Sequence, residues 1–174
     1  YARDKEYVSA NPCHKLLLGL KGVRKADLTI ITPEQLKTFM QNIKEFDSRR
    51  RTYIQLYPIC LLAAATGMRR GELLGLRKDA VDLHKGIIDI HAQVQECQAD
   101  LPLKTQSSYR RIFVDKNVLS YIMEQSDTES PFVFSITKTH QFIYTALFTA
   151  SFRRFYMAYA KPYKSFTFHS LRHY

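Results

Sequence analysis

From Tyr53 to Ala65 the chain is apolar on nearly every side of a helical wheel, and Gly67 follows closely. A helix with no polar face must lie in the middle of a fold, with other elements wrapped around it. Its longest uninterrupted apolar run, Ile59 to Ala65, is far short of the roughly 20 residues that cross a bilayer. The stretch therefore predicts a buried central helix in a globular domain, with Pro58 either kinking it or marking its start. No charged-then-apolar leader opens the sequence, so a soluble, cytoplasmic protein with no membrane partner is expected.

The neighbouring segments supply the wrapping. Thr32-Pro33-Glu34-Gln35 combines a capping threonine, a proline at the first helical position and a glutamine three residues past the cap, a helix-start pattern. Leu36, Phe39, Met40, Ile43 and Phe46 then recur at helical spacing and give that helix one apolar face. Gly67 is placed to end the central helix, and another is expected from Arg70 to Leu76. Gly67, Gly71 and Gly75 recur every four residues; with no G-K-[ST] following, they indicate close helix packing and not a phosphate-cradling loop.

Past a turn at His84-Lys85-Gly86 the period changes to two. Ile88, Ile90, Ala92 and Val94 alternate with Asp89, His91, Gln93 and Gln95, as in a half-buried strand. Further strands are expected around Leu103-Lys104-Thr105 and from Arg110 to Val114, making a small three-stranded antiparallel sheet with Lys104 near a turn. Helical pattern returns at Val118 to Glu124 and from about Gln141 to Ala160, and Thr167 is placed to cap a last helix through Arg172. The class is α+β, mainly α.

Lys and Arg outnumber Asp and Glu 26 to 16, a formal charge of +10 that attracts polyanions. From Ser130 onward there is no Asp or Glu, against Lys138, Arg153, Arg154, Lys161, Lys164 and Arg172. Nucleic acid is the first partner this implies. Cys13, Cys60 and Cys97 are odd in number and lack C-x-x-C spacing, which argues against a disulfide framework and a zinc knuckle.

Three constellations carry chemical potential. In Thr66-Gly67-Met68-Arg69-Arg70-Gly71-Glu72, an arginine stands at a helix start with Glu72 three residues on to hold its guanidinium, although such a pair is usually a weak surface salt bridge. In the stretch from Leu103 to Ile112, Lys104 on a hairpin is a mobile proton donor, and Thr105, Ser107 and Arg110 suit phosphate oxygens, although taken alone the stretch reads more simply as a solvated hairpin tip. In His169-Ser170-Leu171-Arg172-His173, His169 and Arg172 share a helix face and can donate to one anion. His169 and His173 lack the glutamate of H-E-x-x-H and any further ligand cluster, so no metal is expected.

Read in order, Arg-x-x-Glu after Thr-Gly, Lys-Thr before a Ser- and Arg-rich strand, and His-x-x-Arg-His, the chain from about Ala26 to Tyr174 resembles the catalytic domain of the tyrosine recombinase, or phage integrase, family. The resemblance implies that Arg69 and Arg172 are the catalytic arginines, Lys104 the hairpin lysine and His169 the motif histidine. Glu72 matches the family's acidic buttress and His173 its second, structural histidine; Thr105, Ser107, Arg110 and Lys164 are expected to contact DNA. Residues 1–25 resemble the end of an N-terminal DNA-clamping domain plus a linker, and residues 26–174 a catalytic domain. Where relatives often carry Trp and Asp after the first motif, this chain reads Leu76-Arg77-Lys78-Asp79-Ala80-Val81-Asp82, and only Asp82 matches.

The implied function is site-specific DNA cleavage and strand transfer through a 3′-phosphotyrosyl link, serving integration or excision of a mobile element. The partners implied are double-stranded DNA and copies of the protein itself in a bacterial cytoplasm. The link conserves the bond energy of the phosphodiester, so no cofactor is expected. The family's nucleophilic tyrosine lies well downstream of His-x-x-Arg, whereas Tyr174 stands two positions after Arg172 on another helix face. The chain is thus expected to be a piece of a longer protein, without its nucleophile and inactive in cleavage. A type IB topoisomerase, a noncatalytic DNA-binding module and a basic domain for acidic protein are the alternatives.

Overall fold

A computed structural model of the protein describes residues 32–49, 53–103, 105, 108–159 and 167–173. Among these, the order is α1 (Pro33–Arg49), α2 (Leu56–Thr66), α3 (Arg70–Leu74), a 3-10 turn (Lys78–Ala80), β1 (Val81–Asp82), β2 (Ile87–Ile90), β3 (Ala92–Gln95), β4 (Gln98–Pro102), β5 (Arg110–Phe113), α4 (Lys116–Glu124), α5 (Thr145–Tyr159) and a closing 3-10 turn (Phe168–His173). The expected α+β architecture, mainly helical with a small antiparallel sheet, is what forms.

The helix-start pattern of α1 is realised in full. Thr32 N–H donates to Gln35 Oε1 at 3.0 Å and Gln35 N–H to Thr32 Oγ1 at 3.3 Å, satisfying two donors the helix leaves open. Its buried face, Phe39, Ile43 and Phe46, meets the aromatic side of α5: Phe155 lies edge-on to Phe39 at 5.3 Å and to Phe46 at 5.6 Å. Asp47 near the end of α1 accepts Tyr57 N–H at 2.7 Å and so caps α2 from a neighbouring helix.

Helix α2 is the buried centre. Pro58 sits in its first turn, where no intrahelical N–H partner is needed, so it marks the start and does not kink the helix. Leu56, Ile59, Cys60, Leu62 and Ala63 are buried, and burial pushes the Cys60 thiol well above its usual range, as suits a core residue. Gly67 ends the helix at φ +63°, its N–H donating to Ala63 O at 2.9 Å.

The sheet differs from the expected one. The alternation from Ile88 to Gln95 belongs to two strands that part at His91: among the described residues β2 lies between β1 and β5, while β3 pairs with β4. The inward phase runs through the break, with Ile88, Ile90 and Val94 all buried, so periodicity alone reads one strand. The second expected strand is displaced to Gln98–Pro102, with Thr105 outside it and Lys104 outside the described residues. The turn before it is made by Glu96 at φ +53°, a position without the Gly or Asn that advertises such a turn. Helix α5 begins at Thr145 and not at Gln141, because Phe142 is held extended in a bridge to Ser135.

Gly71 and Gly75 pack against a strand and not against a helix. A Cβ on Gly71 would stand 2.7 Å from Val94 O, and one on Gly75 2.9 Å from Gln93 C and Val94 N. Helix α3 is thereby pressed onto β3, fixing the first motif against the sheet. Gly75→Ala is expected to cost about 1–3 kcal/mol by forcing backbone from backbone, measured as a lower urea midpoint with an unchanged m-value; an unchanged midpoint would show that the contact yields freely.

Candidate active site

The left-handed turn at Gly67 reverses the chain out of α2, buried Met68 anchors it, and Arg69 follows in extended conformation at the head of α3. An arginine side chain has no acceptor for the open N–H groups of a helix start. Glu72 supplies one: its Oε2 accepts Arg69 N–H at 2.8 Å, and its Oε1 accepts Arg69 Nη1 at 2.9 Å. The same carboxylate accepts Arg110 Nη2 at 2.9 Å on Oε2 and Nη1 at 3.1 Å on Oε1.

Glu72 is not a surface partner. Its side chain is 1% exposed, whereas Arg69 is 50% and Arg110 30% exposed. Burial alone would raise its pKa, but hydrogen bonds from Arg110 and from the backbone and side chain of Arg69 hold it below the usual carboxylate range. One negative charge thus sits between two positive ones, and the excess charge is presented outward on Arg69.

Arg69 opens onto a cleft of about 490 Å³ that is also lined by Arg70, Gln93, Leu103, Thr105 and Ser108. Thr105 and Ser108 share a hydroxyl contact of 2.9 Å, and Ser108 N–H donates to Thr105 O at 3.0 Å. Leu103 and Thr105, which flank Lys104 in the chain, therefore line the same cleft as Arg69. Lys104, Ser107 and Lys164 lie outside the described residues.

The third motif forms the closing 3-10 turn, a tighter helix than expected. Thr167 N–H donates to Ser170 Oγ at 3.1 Å and Ser170 N–H to Thr167 O at 2.9 Å. Buried Leu171 and the Phe168 ring, 4.7 Å from Phe148, pin the turn to the core. Its three-residue period eclipses His169 and Arg172 on one side. A Cβ on Gly67 would stand 3.6 Å from Arg172 O and 3.7 Å from Arg172 Cγ. Arg172, over a hundred positions later in the chain, is thus packed on the turn that delivers Arg69.

Two features escape the sequence motifs. Arg110 faces inward: its guanidinium is spent on Glu72 and, through Nη1 at 3.0 Å, on Ser108 O, and it does not line the Arg69 cleft. Its phase was a signal, since it alternates in step with Ile112 and Val114 and pairs in register with buried Ile90. A charge on the inward phase of a strand requires a buried partner. Arg70 reaches the other way, donating to Thr149 Oγ1 of α5 at 3.2 Å. Among the described residues no carboxylate pairs with Arg172, no group of three His, Cys, Asp or Glu gathers as a metal site, and no helix is long and apolar enough to cross a membrane. The side chain of His173 is outside the described set.

Known proteins resemble this chain in sequence and in fold. A tyrosine recombinase XerC-like protein of Caldanaerobacter subterraneus subsp. tengcongensis is 28% identical over 97 residues, covering 55% of this chain and 24% of that protein. The Tn1549 transposon integrase, solved in complex with a circular intermediate DNA, superposes with a TM-score of 0.71 at 19% identity, over 99% of this chain and 59% of that one. The XerA recombinase superposes with a TM-score of 0.57 at 21% identity, over 83% of this chain and 48% of that one. The chain thus spans a quarter to about three-fifths of these relatives, and its fold is that of the tyrosine recombinase catalytic domain. The family model for the phage integrase family matches residues 29–174. By that match the chain belongs to the phage integrase, or tyrosine recombinase, family.

Proposed function

We propose that residues 26–174 form the catalytic domain of a site-specific DNA recombinase of a mobile element, with residues 1–25 leading from an N-terminal DNA-clamping domain. The protein works in the bacterial cytoplasm on double-stranded DNA, as an assembly of its own copies. A tyrosine oxygen supplied from outside residues 1–174 attacks the phosphorus; the bond to the 5′-oxygen breaks, leaving a 3′-phosphotyrosyl link and a 5′-hydroxyl. Arg69 and Arg172 stabilise the charge that builds on the non-bridging oxygens, with His169 as a further donor. Lys104 protonates the departing 5′-oxygen. Thr105, Ser107 and Lys164 hold flanking phosphates, and His173 takes the supporting part of the motif's second histidine.

The observation that carries this reading is the packing of Arg172 on Gly67, two residues from the buttressed Arg69. Two arginines more than a hundred positions apart in the chain thus meet at one turn, which supports their acting on a single phosphate. The test is incubation of the intact gene product with DNA carrying its target site, followed by SDS. A protein–DNA adduct with a free 5′-hydroxyl is expected; DNA that is bound yet never captured would refute catalysis, and relaxation of plasmids of arbitrary sequence would refute site specificity.

Binding should also depend steeply on salt. The logarithm of the association constant is expected to fall linearly with log[salt], by about 0.9 for each phosphate neutralised. A flat titration would mean that the net charge of +10 is not directed at DNA.

A further inference from the structure

We propose that Arg110 is a positioning residue for Arg69, acting through Glu72; this rests on the catalytic role given to Arg69 above. The terminal torsion of a glutamate is soft and broad, so one arginine alone does not set the plane of its carboxylate. Arg110 grips both oxygens from the sheet side, at 2.9 and 3.1 Å, in the fork geometry that fixes a carboxylate plane. The plane so fixed aims Oε1 at Arg69 Nη1, 2.9 Å away, while Oε2 takes the Arg69 backbone N–H at 2.8 Å. Backbone and side chain of Arg69 are therefore referred to one rigid group.

Arg110 is itself immobilised. It lies on β5, in register with Ile90 of β2, and its Nη1 also donates to Ser108 O at 3.0 Å. Its second effect is electrostatic. Glu72 alone would cancel the charge of Arg69, whereas a carboxylate shared with Arg110 leaves Arg69 with charge to direct at a phosphate. An arginine that must meet a transition state is sensitive to placement, since errors near 1 Å cost up to about 10²-fold in rate.

Arg110→Lys keeps the charge and removes the fork. In the intact recombinase, single-turnover cleavage is expected to fall about tenfold or more, with DNA affinity and its salt slope within about twofold of wild type. The discriminating measurement is the double variant. If Arg110 acts through Arg69, adding Arg110→Lys to Arg69→Ala changes the rate by less than about twofold.

A further tenfold loss in that background would overturn the inference and leave the catalytic reading standing. In Arg110→Gln, which removes the charge, weaker binding with a slope flatter by about 0.9 would overturn it too, because Arg110 would then be touching a phosphate. A lowered unfolding midpoint with an unchanged cleavage rate would make Arg110 structural only. If Arg69→Ala itself cleaves at the wild-type rate, the catalytic reading falls and takes the inference with it. Should Arg110→Lys not fold, Arg110→Gln, which retains one N–H donor for Glu72, enters the same cycle.

Discussion

Arg69→Ala in the intact protein should slow DNA cleavage by about 10²-fold or more while DNA binding changes by less than about threefold. The asymmetry follows from what the residue is placed to do. Arg69 is half exposed at the head of α3, with its backbone and one guanidinium nitrogen tied to Glu72, so its pose exists before DNA arrives. A preorganised donor contributes most where charge is greatest, in the pentacoordinate transition state, and little to a ground-state phosphate that many other cations also attract. The measurement is a single-turnover cleavage rate at saturating protein beside a binding isotherm. Equal losses in the two would mean that Arg69 merely binds DNA.

The second large effect is on stability. Glu72→Gln keeps the shape of the side chain but replaces one acceptor oxygen with a donor, turned toward guanidinium N–H groups. Breaking a buried pair from one side typically costs about 3–5 kcal/mol. Here both arginines keep partial access to water, so a loss of about 2–3 kcal/mol is expected, read from urea unfolding near neutral pH. The pH dependence has a defined sign. The folded pKa of Glu72 lies below its unfolded value near 4.5, so its ionised form favours the fold. That contribution is fully present above about pH 5 and disappears as pH drops through the folded pKa. The stability gap between wild type and Glu72→Gln should therefore be flat from pH 5 to 8 and close in acid. A gap that instead widened in acid would show that Glu72 is not held as a carboxylate.

Much of this was legible from residue chemistry, and the parts that were not share a cause. The capping pair Thr32 and Gln35, the apolar wheel of α2 and the terminating Gly67 are local signals, and each element forms where its signal stands. The pairing of strands is not local. Ile88 through Val94 keep one inward phase across His91 although the pairing partner changes there, and the turn at Glu96 uses a strained residue in place of a glycine. Glycines spaced every four residues announce a close approach without saying to what: the neighbour is β3 for Gly71 and Gly75 and Arg172 for Gly67.

The same distinction runs through the site. Arg69 and Glu72 are three apart and their pairing can be anticipated, but whether the pair is exposed or buried depends on Arg110, thirty-eight positions away. Only the inward phase of Arg110, in step with Ile112 and Val114, pointed to that partner. The approach of Arg172 to Gly67 is longer still in sequence and follows from the hydrophobic anchoring of Phe168 and Leu171, which motif spacing does not encode.

If the three motifs build one active site, groups from all three meet at one phosphorus. The direct measurement is a crystal structure of the intact protein, its nucleophile replaced by phenylalanine, bound to DNA carrying the cleavage site. Nitrogens of Arg69, Arg172 and His169 are expected within about 3.2 Å of the non-bridging oxygens of a single phosphate, with Lys104 Nζ at the 5′-oxygen of the same group. Lys104 on the face opposite the two arginines, or Arg69 and Arg172 on different phosphates, would contradict it.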